Sequence, residues 1–448
     1  MSNTAKKKIG MVTLGCPKNQ VDSEVMLGLY DNSGYTLTQD PGEADVIVIN
    51  TCGFIDEAKT ESIDTILEMA AYKEKGNCRA LIVAGCLGQR YQEDLLKEIP
   101  EIDAIVGTSE FPKIVEISNE LTANPSHERL WVQPPEFLYD HTTPRLRITP
   151  KHYAYLKIAE GCDHLCSFCV IPKMRGRFKS RSIDDILDEA RAMADDGVKE
   201  IILIAQDTTY FGHDKGEREL ARLLHKLGRL GGVEWIRLLY SYPMQFSEAI
   251  MDAIASEEKI CKYVDLPVQH VSDDILKRMK RRCTGDDIRR TINGLRQRIP
   301  GITLRTSLIV GFPGETDRQF DELLQFVEAT EFDRLGVFTF SAEEGTPSAS
   351  MPDQVSQKVM EKRKSAIMKA QKKISRKKLS KLKGTVQRVM VDGLSRETEL
   401  LLEGRTQGQA PDIDGVVYIT EGSAQPGDIV TVKVEKVHDY DLVGPIVN

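Results

Sequence analysis

Six short apolar runs, each followed by a helical pattern, constrain the fold of this chain more than any other feature. The runs cover residues 153–159, 200–207, 235–243, 263–270, 304–311 and 335–340. The segments between them carry apolar residues at helical spacing, as in residues 182–195 and 316–330. Repeated βα units of this size predict a parallel sheet that curls into an open (β/α)6 barrel. Function in such barrels lies on the loops at the carboxyl ends of the strands.

Three cysteines follow the first of these runs. Cys162, Cys166 and Cys169 have the spacing CxxxCxxC. Clustered thiolates bind soft metals, and a filled 4Fe–4S site usually takes four cysteines, so three would leave one iron open to a ligand from outside the protein. His164 makes a structural zinc site the alternative. Zinc motifs usually bring a second ligand pair soon afterwards, whereas the next Cys or His after Cys169 is His213.

The N-terminal part of the chain predicts a doubly wound parallel sheet. Apolar runs at residues 9–14, 46–50, 81–84 and 104–106 alternate with helical stretches at 22–31, 56–72 and 91–99. Cys16, Cys52 and Cys86 follow the first three runs, each beside a glycine. Ligands of such sheets collect at the carboxyl ends of the strands, so we expect these cysteines to hold a second cluster. Three buried core thiols are the alternative. We interpret Cys78, Cys261 and Cys283 as ordinary thiols.

The C-terminal part divides into a basic helix and an acidic module. Residues 357–383 predict one long helix, and residues 358–383 hold twelve Lys or Arg against the single acid Glu361. Such a run is either a solvated face or a contact for nucleic acid. From Gly384 onward, runs at 386–391, 399–402, 416–419 and 429–437 predict a small antiparallel β-barrel of OB-like size. Its eleven Asp or Glu against five Lys or Arg favour a cationic protein partner.

Composition indicates the compartment in which the chain acts, and the sequence pattern indicates its domains. The N-terminus is polar and basic, and no apolar stretch approaches the length of a membrane span, so we expect a cytoplasmic chain that has no membrane contact. Nine cysteines in such a chain favour metal binding or catalysis over disulfides. We expect a cluster-binding domain at residues 1–124, a linker at 125–150, a barrel domain with the basic helix at 151–383 and the small β-module at 384–448.

With these features the chain resembles the methylthiotransferase family of radical S-adenosylmethionine enzymes. The resemblance covers two sets of three cysteines, the open barrel and the terminal module, which that family calls a TRAM domain. Gly15-Cys16-Pro17-Lys18-Asn19 is similar to the branch that modifies the twelfth protein of the small ribosomal subunit, and so are the motifs from Glu160 to Gly176. The branch that acts on isopentenyladenosine in transfer RNA usually has Gln after the first cysteine. Asp163 stands where Asn is common.

The resemblance implies a mechanism and a set of partners. Cys162, Cys166 and Cys169 would hold the 4Fe–4S cluster that cleaves S-adenosylmethionine, using an electron from a separate donor, to give an adenosyl radical. Cys16, Cys52 and Cys86 would hold a second 4Fe–4S cluster that carries the sulfur, methylated by a second S-adenosylmethionine. The expected product is a methylthio group on the β-carbon of an aspartate in a basic ribosomal protein, with the helix at 358–383 as a candidate contact for ribosomal RNA.

Further residues are expected to bind S-adenosylmethionine. The resemblance places Phe168 beside the adenine. Polar residues near neighbouring strand ends are predicted to contact the methionine and ribose parts: Gln206, Asp207, Gln269, Arg305 and Gly311. Arg175, Gly176 and Arg177 either bind substrate or cover the mouth of the barrel. The alternatives to this function are the branch that modifies transfer RNA and a non-catalytic RNA-binding protein with structural zinc.

Overall fold

The computed structural model describes residues 6–123 and 129–447, so residues 125–128 of the predicted linker lie outside the described residues. The first part of the chain alternates strands and helices. They are β1 (Lys8–Thr13), α1 (Pro17–Asn32), β2 (Thr36–Thr38), β3 (Val46–Thr51), α2 (Asp56–Ala70), α3 (Tyr72–Lys75), β4 (Ala80–Gly85), α4 (Cys86–Glu98), β5 (Ala104–Val106), α5 (Ile114–Ala123) and β6 (Leu130–Trp131).

The strands of this part form one parallel sheet in the order β2-β1-β3-β4-β5-β6. Every residue of β3 and β4 is buried, because helices cover both faces of the sheet. The predicted doubly wound sheet is therefore confirmed. The predicted helix starts at residues 22 and 91 are wrong, because α1 begins at Pro17 and α4 at Cys86. Proline suits the first position of a helix, where its missing N–H leaves no bond unmade.

The middle part continues the alternation. Its elements are β7 (Tyr153–Lys157), β8 (Ala159–Glu160), α6 (Ile171–Arg175), β9 (Lys179–Ser180), α7 (Ile183–Asp195), β10 (Glu200–Ile204), α8 (Leu220–Gly228), β11 (Trp235–Leu238), α9 (Glu248–Ser256), β12 (Ile260–Asp265), α10 (Asp273–Arg278), α11 (Gly285–Arg298), β13 (Thr303–Val310), α12 (Asp317–Thr330) and β14 (Arg334–Thr339).

Six of these strands form a parallel sheet in the order of the chain, β7-β10-β11-β12-β13-β14. This order confirms the predicted open (β/α)6 arrangement. The predicted runs were too long at their carboxyl ends: the strands end at Ile204, Leu238 and Asp265, so the polar residues that follow lie on loops. The run at 153–159 is divided between β7 and the two-residue strand β8, which pairs antiparallel with β9.

The last part contains α13 (Gln357–Ser380), β15 (Val386–Leu394), β16 (Leu402–Arg405), β17 (Val417–Ile419), β18 (Ile429–Lys433), β19 (Lys436–Val437) and β20 (Leu442–Gly444). The strands form a six-stranded sheet that is antiparallel except where β17 pairs with β20. The N–H of Lys433 donates to the carbonyl of Pro445 at 3.0 Å, which curls the sheet toward closure. The strand predicted at 399–402 is misplaced, because β16 begins at Leu402, where the predicted strand ends.

The described residues group into two compact units. One unit holds the chain up to Ile148 together with Ala159–Ile186 and Glu343–Thr346. The other holds Thr149–Ile158, Leu187–Ala342 and the chain from Pro347 onward. The domain boundaries that we predicted at residues 124, 150 and 383 stay predictions. Among the described residues, no helix has the length and apolar character that crossing a membrane requires.

Within the second unit, the C-terminal module packs against the amino ends of the barrel strands. Arg405 of β16 pairs with Glu200 at the start of β10 at 2.6 Å, and Arg237 donates to the same carboxylate at 2.6 Å. His152, one residue ahead of β7, pairs with Asp392 at 2.8 Å. Glu200, Arg237, Arg405 and His152 are buried, and burial without a partner would be costly for each charged group among them. The module therefore occupies the end of the barrel opposite the carboxyl ends.

Replacing Arg405 by Met should reduce the free energy of unfolding of this unit by about 3 to 5 kcal/mol, because Glu200 would keep a buried charge with less compensation. Urea unfolding followed by the fluorescence of Trp235, which is buried at the start of β11, measures the change in a Trp131→Phe background. The matched control is Arg396→Met, whose side chain is 75% exposed beside Asp412 and should contribute less than about 1 kcal/mol. Equal effects of the two substitutions would contradict this account.

Candidate metal centre

Cys16, Cys52 and Cys86, the N-terminal trio, lie at the carboxyl ends of three adjacent strands. Cys52 directly follows β3, Cys86 directly follows β4, and Cys16 comes three residues after β1. The sheet order places β1, β3 and β4 side by side, and the strand order reverses between β1 and β3. Doubly wound sheets bind their ligands at such a reversal. The fold therefore brings the N-terminal trio to the edge where a ligand is expected.

The loops that carry Cys16 and Cys52 meet at Gly15. This glycine has a φ of +92°, and a Cβ built on it would lie 2.8 Å from the Cβ of Cys52 and 3.2 Å from its Sγ. Only glycine combines this backbone conformation with so close an approach at little cost. Gly15 thus allows two members of the N-terminal trio to converge.

The thiols of the N-terminal trio are close enough to affect one another electrostatically. Burial and then the neighbouring Cys86 thiol raise the pKa of Cys52 to about 12, with a smaller contribution from Cys16. Burial also raises the pKa of Cys86. Thiolates in such proximity repel one another unless cations lie among them, and the irons of a cluster meet that need. Mutually repelling thiols, of which Cys86 is buried and Cys16 and Cys52 are partly exposed, therefore fit a metal cluster.

Two members of the N-terminal trio occupy helix N-termini. Cys16 is the N-cap residue of α1, and Cys86 is the first residue of α4. The dipole of a helix makes its N-terminus favourable for negative charge, which lowers the cost of a thiolate at that position. α1 begins directly after Cys16 and α4 begins at Cys86, both earlier than the sequence pattern predicted, so the N-termini of both helices lie at the site.

One side chain, Asn19, links all three loops of the N-terminal trio. Its Nδ2 donates to the carbonyl of Leu14 at 3.0 Å and to the carbonyl of Thr51 at 2.9 Å. These carbonyls immediately precede Gly15 and Cys52. The Oδ1 of Asn19 lies 3.7 Å from the Sγ of Cys86. Asn19 therefore fixes the positions of the three loops relative to one another.

A buried guanidinium, that of Arg175, lies against the same cysteines. Its Nε donates to the Sγ of Cys86 at 3.3 Å, and Nη1 donates to Asp22 at 2.5 Å and lies 3.4 Å from Glu160. Nη2 donates to the Oδ1 of Asn19. The residue is only 4% exposed. The cationic group of Arg175 is therefore enclosed beside a thiol, and our prediction that Arg175 binds substrate or covers the barrel mouth stays a prediction.

Cys162, Cys166 and Cys169, the loop trio, lie on a loop whose two ends are held together by the β8–β9 ladder. The N–H of Cys162 donates to the carbonyl of Gly176 at 3.1 Å, and the N–H of Cys169 donates to the carbonyl of Cys166 at 3.2 Å. All three thiols are partly exposed. A loop closed by backbone hydrogen bonds therefore presents the loop trio within a short stretch of chain.

The segment that follows the loop trio packs onto the N-terminal trio. Val170 and Met174 form a buried apolar cluster with Cys86, and the Oγ1 of Thr108 donates to the carbonyl of Met174 at 2.7 Å. Both trios and this contact lie within the first compact unit. The two sets of cysteines are thus parts of one packed structure.

The donor set consists of cysteines in two groups of three. Iron–sulfur clusters are held by cysteine thiolates, and each cysteine of a 4Fe–4S cluster bonds a different iron. A structural zinc site at His164 would need four Cys or His ligands around one ion. Within residues 6–123 and 129–447, no three His, Cys, Asp or Glu side chains are arranged to share one metal ion.

Four of the predicted S-adenosylmethionine contacts lie just beyond the carboxyl ends of barrel strands. Gln206 and Asp207 follow β10, and Gly311 directly follows β13. Gln269 follows β12 and has a φ of +69°, a strained conformation that clusters at functional sites. The carboxylate of Asp207 already accepts a hydrogen bond from the N–H of Thr209 at 2.9 Å. The roles of these residues stay predictions.

Phe168 and Arg305 differ in how well their positions suit the predicted role. Phe168 is half-buried in the turn between Cys166 and Cys169, where an aromatic beside the adenine was expected. Arg305 lies near the amino end of β13, where it pairs with Asp265 at 2.7 Å. We predicted a role for Arg305 because we expected it near the carboxyl end of its strand, and it does not lie there. The roles of Phe168 and Arg305 both stay predictions.

Sequence reasoning missed Asn19, Asp22 and Glu160 as parts of the site. The sequence has polar residues at helical spacing after Cys16, namely Asn19, Asp22 and Ser23, and the structure shows that α1 buries them. Polar groups are buried on a helix face only when they have partners there. Such a face directly after a candidate ligand could have indicated the network around Arg175.

Three family models match the chain. They are the uncharacterized protein family UPF0004 at residues 8–107, the radical SAM superfamily at 156–327 and the TRAM domain at 384–447. The radical S-adenosylmethionine methyltransferase TsrM from Kitasatospora setae, solved with cobalamin and a [4Fe-4S] cluster, aligns with a TM-score of 0.55 at 13% identity, over 86% of this chain and 77% of its own. The cobalamin-dependent radical enzyme OxsB aligns with a TM-score of 0.53 at 12% identity, over 82% and 56%. These likenesses show the fold.

The parallel open barrel, with a CxxxCxxC loop after its first strand, defines a radical S-adenosylmethionine enzyme. Comparison with curated relatives identifies one family within this class. The chain is 55% identical to the ribosomal protein uS12 methylthiotransferase RimO of Geotalea uraniireducens over the full length of both, and 54% identical to that of Geobacter sulfurreducens, also over both full lengths. The chain belongs to the family of ribosomal protein uS12 methylthiotransferases.

Replacing Gly161 by Ala should displace the loop trio. Gly161 has a φ of +82°, and a Cβ built on it would lie 2.6 Å from the carbonyl carbon of Arg177, so the backbone around Cys162 would have to move. We expect loss of about half of the iron bound after anaerobic reconstitution, measured by iron and sulfide analysis.

The matched control is Gly34→Ala. Gly34 has nearly the same φ, +81°, but nothing lies within 4 Å of its built Cβ, so only a backbone strain of about 1 to 2 kcal/mol is expected. Iron content should be unchanged in this variant. Equal iron content in both variants would show that the close approach at Gly161 does not shape the loop trio.

Proposed function

We propose that this protein is a radical S-adenosylmethionine methylthiotransferase that adds a methylthio group to the β-carbon of an aspartate in ribosomal protein uS12. The observation that carries the proposal is the 55% identity over the whole chain to a relative of that name. Its cofactors are S-adenosylmethionine and 4Fe–4S clusters. Because the substrate belongs to the ribosome, we propose the cytoplasm as the place of action.

We propose that the two cysteine trios hold clusters with different chemical roles. We assign the cluster that binds S-adenosylmethionine to the loop trio and the sulfur-carrying cluster to the N-terminal trio. When bound, the first cluster and S-adenosylmethionine supply the one-electron chemistry that breaks an unactivated C–H bond, and a separate donor supplies the electron. We propose Phe168 as the residue at the adenine of the cofactor. The contacts proposed for its methionine and ribose parts are Gln206, Asp207, Gln269, Arg305 and Gly311.

The C-terminal module supplies an acidic surface for a basic substrate protein. The turn between β15 and β16 exposes Glu397 and Glu399 beside Leu400, which is 90% exposed, and Leu394, which is 61% exposed. Acidic and apolar side chains together suit a cationic protein. Because the module lies at the amino ends of the barrel strands, we propose that it binds a part of the substrate remote from the reacting aspartate.

We also propose that α13 contacts ribosomal RNA. Part of its positive charge is engaged within the protein, since Lys377 pairs with Glu331 and Lys378 pairs with Asp333 at 2.6 Å. Other lysines share the exposed face of the helix: Lys358, Lys362, Lys369 and Lys373. Their spacing of four, seven and four residues forms one stripe of about 22 Å, which suits a phosphate backbone.

The double substitution Lys362→Ala and Lys369→Ala should weaken binding to purified small ribosomal subunits. Because each lysine would neutralise one phosphate, the slope of log K against log salt should fall by about 2 in magnitude. Lys377→Ala with Lys378→Ala is the control, because those charges are already paired. An unchanged slope in the first variant would mean that the stripe is a solvated face.

Cysteine substitutions separate the roles of the two trios. Cys166→Ala should abolish cleavage of S-adenosylmethionine, whereas Cys52→Ala should retain cleavage and lose methylthiolation of a uS12 peptide, as measured by mass spectrometry. Cys78→Ala is the control, because Cys78 is buried in the apolar core beneath β4 and should retain both activities. Intact methylthiolation by Cys52→Ala would contradict the second cluster.

The same reconstituted protein tests the alternatives. About eight irons per chain with labile sulfide are expected for two clusters, and zinc without sulfide would indicate a structural zinc protein. A mass gain on transfer RNA but not on the uS12 peptide would overturn the proposed substrate.

A further inference from the structure

We propose that Arg175 is a positioning residue of the N-terminal trio, whose guanidinium sets the hydrogen bonding and charge around the cluster held there and so raises its reduction potential. This inference rests on the proposed function in one respect, namely that the N-terminal trio holds a cluster. It assigns a role to a residue from the segment that carries the loop trio.

The contacts of Arg175 are those of a group that acts on the thiols. Its Nε–H points at the Sγ of Cys86 at 3.3 Å, which is a hydrogen bond from a cation to a ligand sulfur. The potentials of iron–sulfur clusters depend on hydrogen bonds to their sulfurs, on net charge and on exposure to solvent. Arg175 supplies both a hydrogen bond to a sulfur and a positive charge. Because it is only 4% exposed, it also excludes water from that side of Cys86.

The remaining donors of Arg175 fix its orientation. Nη1 donates to Asp22 at 2.5 Å, and Nη2 donates to Asn19, the residue that links the three cysteine loops. Glu160, two residues ahead of Cys162, lies 3.4 Å from Nη1. The rigid fork of a guanidinium can bind these partners simultaneously, which an ammonium cannot. One side chain therefore connects the N-terminal trio to the chain at the start of the loop trio.

The charges around Arg175 predict the sign of the effect. A cluster gains negative charge on reduction, so a nearby cation stabilises the reduced state and raises the potential. Asp22 offsets part of that cation. Removing the charge of Arg175 should therefore lower the potential, while removing the charge of Asp22 should raise it. A role limited to structural support predicts no such opposition.

The experiment uses the full-length chain with Cys162, Cys166 and Cys169 replaced by Ala, so that only the cluster of the N-terminal trio contributes. Redox titration monitored by electron paramagnetic resonance then gives its midpoint potential. Arg175→Met should make reduction about tenfold less favourable, which corresponds to about 59 mV for one electron. Asp22→Asn should shift the potential in the opposite direction, and Arg175→Lys should restore part of the loss.

The matched control is Arg181→Met, which removes a buried arginine of the same unit that pairs with Asp185 and stacks on Tyr139. Its potential should equal that of the parent. Loss of iron from Arg175→Met would follow from structural support as well, so the sign of the shift in Asp22→Asn would then decide between the two roles. Should Arg175→Met fail to fold, the sign of the shift in Asp22→Asn decides the question.

The outcomes separate this inference from the proposed function. Unchanged potentials in both Arg175→Met and Asp22→Asn would overturn the inference and leave the second cluster intact. Shifts of the same sign in the two variants would also overturn it. Absence of iron from the parent chain, by contrast, would overturn the assignment of a cluster to the N-terminal trio.

Discussion

The convergence of three thiols on one edge of a parallel sheet depends on the hydrogen bonds of a single amide, that of Asn19. Its two donor bonds join the backbone ahead of Gly15 to the backbone ahead of Cys52, and its oxygen approaches Cys86. Buried amides are costly unless every group is bonded, so this arrangement specifies one geometry of the three loops. Arg175 then binds the same oxygen, which makes the enclosure of the thiols dependent on a distant segment.

The two ends of the barrel strands carry different groups. At the amino ends, Glu200 accepts from both Arg237 and Arg405, and burial of this ion group anchors the C-terminal module. At the carboxyl ends lie Gln269 and Gly311, which we propose as contacts of the cofactor. In βα barrels generally, the carboxyl ends carry function and the amino ends carry stability.

Much of the architecture could be predicted because it depends on local periodicity. Fully buried strands such as β3 stand out as short continuous apolar runs, helices such as α12 show a helical period, and their alternation indicates a parallel sheet. The limits of elements were less predictable. Several strands ended before their apolar runs did, and α1 and α4 began earlier than their predicted starts. Hydrogen bonding and capping decide where an element begins and ends, and periodicity does not report them.

By itself, the sequence determined the class of each domain and indicated six cysteines as candidate ligands, since the CxxxCxxC spacing and the glycine-flanked cysteines are local features. Only the tertiary structure decided what surrounds those thiols. Arg175 lies 89 residues from Cys86 and 156 from Asn19 along the chain, and no local pattern connects them. Contacts of that kind arise from packing of whole elements, so a charged residue that looks like a surface group in sequence can become the buried partner of a ligand sulfur.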